Sequence, residues 1–139
     1  MTEEAIDYFK EAIRIQPGFY VAHYNLGFAL VAEGKNEEAI SYYKMAIKLN
    51  PEYAQAYYNL GNVLFNAKMT EEAIDHYKEA IRIRPSFAVA HNNLGNALVQ
   101  KGEIKEAIDH YRETLKLKPN LVAAQKNLEM ALLRSEELE

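Results

Sequence analysis

Between Tyr53 and Ala67 the apolar residues Ala56, Leu60, Val63 and Leu64 recur at steps of three and four, the period of a helical stripe. A second stripe, Ala73, Ile74, Tyr77, Ala80 and Ile81, predicts another helix over Glu71 to Ile83. The polar positions separate these helices into two kinds. Phe19 to Ala32, Tyr53 to Ala67 and Phe87 to Gln100 carry no formal charge, whereas the helices that follow them hold most of the Lys, Arg, Asp and Glu. The two kinds must face different surroundings.

Thr2, Asn36 and Thr70 mark predicted helix starts, where a side-chain oxygen can cap orphan amides and the two following glutamates suit the positive end of the helix dipole. Gly34, Gly102 and the prolines mark helix ends. Lys68 stands where the neighbouring turns have glycine, so that turn is expected to be strained or differently shaped.

The whole pattern repeats. Pro17, Pro51, Pro85 and Pro119 are equally spaced, and Asn25, Asn59, Asn93 and Asn127, like Ala5, Ala39, Ala73 and Ala107, keep the same interval. The period is about 34 residues, that of a helical-hairpin repeat, and it runs without insertions. Ala5 to Pro17 and Ala73 to Pro85 match at 10 of 13 positions. Gly27, Gly61 and Gly95 fall inside first helices, where glycine costs about 1 kcal/mol relative to alanine. Close packing against Ala39, Ala73 and Ala107, with Tyr43, Tyr77 and Tyr111 filling the gap beyond, would offset that cost.

Tyr57, Leu60, Gly61, Leu64, Ala73, Tyr77, Ala80 and Pro85, at these spacings, resemble the tetratricopeptide-repeat signature over nearly the whole chain. The resemblance implies an all-α fold, an α-α superhelix of antiparallel helix pairs. The register divides a single array over 1–139 into complete repeats at 20–53, 54–87 and 88–121, a lone second helix over 1–19 and a lone first helix over 122–139. Such a frame is expected of a fragment of a longer array. His23 and His91 stand where the family prefers a large aromatic, and Thr114 replaces a small alanine, which puts local packing in question.

Composition narrows the function. A net charge of -4 argues against nucleic acid. The uncharged stretch Pro17 to Ala32 falls short of the ~20 residues of a membrane span, and the absent cysteines exclude thiolate chemistry. Without a basic, apolar leader the chain reads as cytoplasmic. No nucleophile, metal motif or phosphate loop is present, so no enzyme activity, cofactor or metal is expected. The histidines fall in repeat columns, His23 with His91 and His76 with His110, which suggests packing or surface roles.

In the family that the chain resembles, first helices line a concave groove. Projected so, the groove is lined by Tyr24, Asn25, Phe28, Tyr58, Asn59, Asn62, Phe65, Asn66, Asn92, Asn93, Asn96 and Gln100, with Lys126 and Asn127 at the far end. Asparagine offers two donors and an acceptor to the backbone of an extended peptide, and aromatics add apolar area with few torsions to freeze. The Asn25 column has two open roles, binding or tying helices together, while Asn62 and Asn96 are read as binding.

A protein or peptide is therefore the expected partner. The phrase Tyr58-Asn59-Leu60-Gly61-Asn62 is similar to the repeats of O-GlcNAc transferases, which implies a ladder that holds substrate polypeptide and chemistry located elsewhere. A carboxylate clamp would need cations where Tyr24, Tyr58, Val89 and Asn93 stand. An architectural scaffold is the remaining alternative. If the first helix exposes Ile6, Phe9 and Ile13 and the last carries Leu128, Ala131 and Leu132 unpartnered, head-to-tail stacking of copies follows.

Overall fold

The computed structural model describes residues 2–139, with the side chain of Thr2 outside the described part. Among the described residues eight helices follow one another: α1 (Thr2–Ile15), α2 (Tyr20–Ala32), α3 (Asn36–Leu49), α4 (Ala54–Asn66), α5 (Thr70–Ile83), α6 (Ala88–Lys101), α7 (Ile104–Leu117) and α8 (Val122–Glu137). Each helix packs on the next in sequence. The even helices also touch one another, α2 with α4, α4 with α6 and α6 with α8, whereas no odd pair does so among the described residues. The stack therefore closes on the even side and fans out on the odd side. This is the geometry of a curved solenoid whose inner face is built from even helices.

The apolar patterns explain the arrangement. Leu26, Leu30, Leu60, Leu64, Leu94 and Leu98 are buried on the even helices, and Tyr43, Tyr77 and Tyr111 are buried on the odd ones. They form one continuous core along the stack. The glycine inference is met in a sharper form. A Cβ on Gly27, Gly61 or Gly95 would lie 2.8, 2.7 or 2.5 Å from a ring carbon of Tyr43, Tyr77 or Tyr111. The tyrosine ring itself lies on the glycine, so the aromatic, more than the small alanines, imposes the requirement.

The turn after each even helix takes one shape three times. Lys35, Met69 and Glu103 donate their amides to the carbonyls of Leu30, Leu64 and Leu98, and Gly34, Lys68 and Gly102 donate theirs to Val31, Phe65 and Val99. This 6→1 and 5→2 pairing is the Schellman motif, which needs a left-handed residue. Gly34 and Gly102 supply it at φ 75° and 93°, and Lys68 is held at φ 66°. The lysine turn is strained and keeps the common shape.

Two expectations are corrected. Asn36 and Thr70 do not cap α3 and α5: the caps are Lys35 and Met69, without a side-chain capping bond. The preceding Schellman turn already fixes the chain's entry, and each helix starts with the expected cap residue inside its first turn. The cap expected of Thr2 lies outside the described side chains. The stripe on α1 is also not exposed, because Ile6 is buried and Phe9 and Ile13 are packed against the core.

Candidate functional site

The turn before each even helix is tied by a side chain six residues on. His23, Tyr57, His91 and Gln125 bond the carbonyls of Pro17, Pro51, Pro85 and Pro119 at 2.9, 3.0, 3.0 and 2.9 Å. Three residue types do one job, which settles the histidine column as structural. His91 also meets His110, Nδ1 to Nδ1 at 3.1 Å. Since its Nε2 hydrogen goes to Pro85, His91 accepts here and His110 donates. Thr114 is buried with its hydroxyl donating to the carbonyls of Ala88 and His110, so the extra oxygen is satisfied.

The asparagine columns resolve into two sets. Asn59 Nδ2 donates to the Tyr24 hydroxyl at 2.7 Å, Asn93 Nδ2 to the Tyr58 hydroxyl at 3.1 Å, and Asn127 Nδ2 to Asn92 Oδ1 at 3.1 Å. Each tie reaches back 35 residues and joins neighbouring even helices. Asn25 is half-buried on α2, at the same place in the first pair. Asn92 is buried by its tie, so its amide is not offered to the groove as expected.

Asn62 and Asn96 are held differently. The Tyr77 hydroxyl donates to Asn62 Oδ1 at 2.6 Å, and Asn93 Nδ2 donates to the same oxygen at 2.8 Å. The Tyr111 hydroxyl donates to Asn96 Oδ1 at 2.7 Å. Burial raises the Tyr77 phenol well above its ordinary range, with Tyr58 adding to it, and pushes Tyr111 up to about 12. Both tyrosines are therefore neutral donors at any ordinary pH. With their oxygens occupied, the two asparagines present their N–H2 groups.

Those groups line the inner face. Asn62, Phe65, Asn66, Tyr77, Asn93 and Asn96 surround a depression of about 310 Å³. Phe65 and Asn96 are shared with a second depression of about 400 Å³, which Val99, Gln100, Tyr111, Asn127, Met130, Ala131 and Arg134 complete. Phe28 is 61% exposed on α2, and Lys126 is exposed on α8; neither lines these depressions. Tyr24 and Tyr58 pack against Tyr53 and Phe87, at 4.9 and 4.8 Å between centroids, and so brace the face.

Met130 and Arg134 were not anticipated. They stand one full repeat after Asn96 and Gln100, so extending those two columns to the last helix would have found them.

Comparison with known proteins accords with this architecture. Models of the tetratricopeptide repeat match residues 24–86, 88–121 and 1–19, and the chain belongs to that family. No curated protein sequence matches it significantly. Among solved structures it is similar to a crystal structure of MamA, at 27% identity and a TM-score of 0.93, over 97% of this chain and 79% of that one. YrrB, described as a repeat protein with an unusual peptide-binding site, superposes with a TM-score of 0.86 at 21% identity, over 97% of this chain and 70% of that one. The first repeat domain of Spaghetti (RPAP3), solved with the HSP90 peptide SRMEEVD, gives 0.82 at 22% identity, over 84% of this chain and 93% of that one. No helix among the described residues is long and apolar enough to cross a membrane.

Proposed function

We propose that the chain is a protein-interaction module whose inner face grips an extended polypeptide by its backbone. The observation that carries this reading is the pair of oriented amides. Asn62 and Asn96 have their oxygens engaged by Tyr77 and Tyr111, which leaves donors directed to a ligand's carbonyls. Phe65 and Val99 lie beside them as apolar seats. Peptide binding by two proteins of the same fold supports the reading.

Asn62→Asp with Asn96→Asp is the test, since aspartate keeps the acceptor for each tyrosine and loses the donor. Binding of an uncharged extended peptide, followed by fluorescence anisotropy, should weaken at least tenfold while the thermal midpoint stays close to the parent's, because each amide donor lost to a ligand carbonyl costs about 1 kcal/mol or more. Unchanged affinity would refute the ladder.

An O-GlcNAc transferase-like parent is a finer proposal, supported by the phrase Tyr58 to Asn62 and by the ladder itself. Reading the gene beyond Glu139 tests it, and a glycosyltransferase domain there is the expected finding. The carboxylate clamp loses its footing, because Tyr24 accepts from Asn59, Asn93 is tied to Tyr58 and the four places where cations are wanted hold Tyr24, Tyr58, Val89 and Asn93. The scaffold alternative depends on how the two end helices meet another copy.

A further inference from the structure

The groove is not uniform along its length. On each even helix three residues at four-residue steps occupy equivalent places. On α2 they are Tyr24, Phe28 and Ala32; on α4, Tyr58, Asn62 and Asn66; on α6, Asn92, which is buried in its tie to Asn127, with Asn96 and Gln100. On α8 they are Lys126, Met130 and Arg134. Polarity therefore runs from aromatic and apolar, through neutral amide, to cationic.

The cations of the even helices collect at this end. Among the described residues α2 and α4 carry none, and the one on α6, Lys101, pairs with Glu71. Lys126 and Arg134 are exposed and have no carboxylate within ion-pair distance among the described residues. Arg134 lines the depression that Phe65, Val99 and Met130 make apolar, and Lys126 lies outside it, one turn before Met130 on the same helix. At the opposite end Phe28 offers a 61% exposed ring with no charged group in its stripe.

We propose that the groove reads its ligand with a fixed polarity: an extended polypeptide, apolar where it crosses α2 and bearing acidic side chains where it crosses α8. This rests on the reading of the inner face as a peptide groove and adds the class of peptide. Packed helices lie ~10 Å apart, so α2 to α8 covers roughly 30 Å. An extended chain spans that in about nine residues. The stretch needed is thus an apolar residue followed, about eight positions away, by a pair of acids. Lone exposed pairs contribute little, but two of them beside an apolar seat add to the same ligand.

The test uses end-blocked, labelled nonapeptides with leucine at one end and two glutamates at the other, separated by serine and alanine, made in both chain directions. Counterparts carry glutamine or lysine in place of glutamate. With the full chain at low salt, the glutamate peptide of one direction should bind about tenfold tighter than its glutamine form, an advantage that shrinks as salt rises. Lys126→Glu with Arg134→Glu should abolish the advantage and favour the lysine peptide, with unchanged helicity. Equal binding of the glutamate and glutamine peptides, still lost in Asn62→Asp with Asn96→Asp, would overturn the polarity and leave the groove intact. No binding by any of the peptides would overturn both.

Discussion

Single residues carry measurable strain and single residues relieve it. Lys68 is held at φ 66°, a region that costs a non-glycine residue about 1–2 kcal/mol, while Gly34 and Gly102 occupy the same turn without that cost. Lys68→Gly should therefore raise stability by about 1 kcal/mol, less the entropy glycine adds to the unfolded chain, as an increased urea midpoint. Gly61→Ala should do the reverse. Alanine gains about 1 kcal/mol in helix propensity, but its Cβ would stand 2.7 Å from the Tyr77 ring, and overpacking of this kind costs about 1–3 kcal/mol. A net loss is expected, with Tyr77 displaced from Asn62; Gly18→Ala, with open space around it, is the control. The glycine requirement was legible in the sequence because a conformational cost repeated at a fixed period has to be offset by something. The alanines and the tyrosines were both legible as the packing partners, but that the ring itself lies on the glycine was not, since a ring sixteen positions away reaches it only through the hairpin's geometry. For the same reason spacing left the Asn25 column open between binding and tying helices, since the Asn59 and Asn93 ties reach 35 residues back.

At the scale of the helix, the odd elements carry the pH response. Burial lowers the pKa of His76 on α5, with Lys44 adding to it against Asp75, Glu72 and Glu79. Burial and the neighbouring His91 lower that of His110 on α7, with Lys78 adding to them against Glu106 and Asp109. The unfolded chain therefore binds these protons more readily than the folded one. The stability tied to the neutral rings is complete above an ordinary imidazole pKa of 6.5 and is lost as pH falls through that value towards the lower folded one. Urea midpoints should fall between pH 7.5 and 5.5, and fall less when both rings are replaced by glutamine. An equal fall in the variant would assign the response to other groups. The histidines were recognisable as repeat columns from the sequence. Their roles were hidden because His23 and His91 do what Tyr57 and Gln125 do, so residue type alone does not reveal the proline-carbonyl tie.

Across the whole molecule the remaining question is whether copies stack. The last helix would have to receive α1 of a second molecule in the manner that α2, α4 and α6 receive α3, α5 and α7. In that arrangement Phe9, one repeat before Tyr43, would lie where the buried tyrosines lie. Its seat on α8, one repeat after Gly95, is Glu129. In the three existing pairs even a bare Cβ at the seat would come within 2.5–2.8 Å of the ring, and a glutamate brings a charged side chain as well. Desolvating that carboxylate against an aromatic face adds to the steric conflict. The other requirement fails too, because Ile6 is already buried within its own molecule and Phe9 and Ile13 are packed on the same core. On α8 the expectation of a free stripe also needs correcting: Ala131 is buried and Leu128 packs on the core, so Leu132, beside the more exposed Leu133 and Met130, is what remains for a second copy. The expected outcome is that the chain stays monomeric over a concentration range in which Glu129→Gly begins to associate, as read by sedimentation equilibrium. Adding Phe9→Lys to that variant should return it to the monomer. Head-to-tail association of the unaltered chain, lost on Phe9→Lys, would show instead that Glu129 swings clear and that the end helices complete one another between copies.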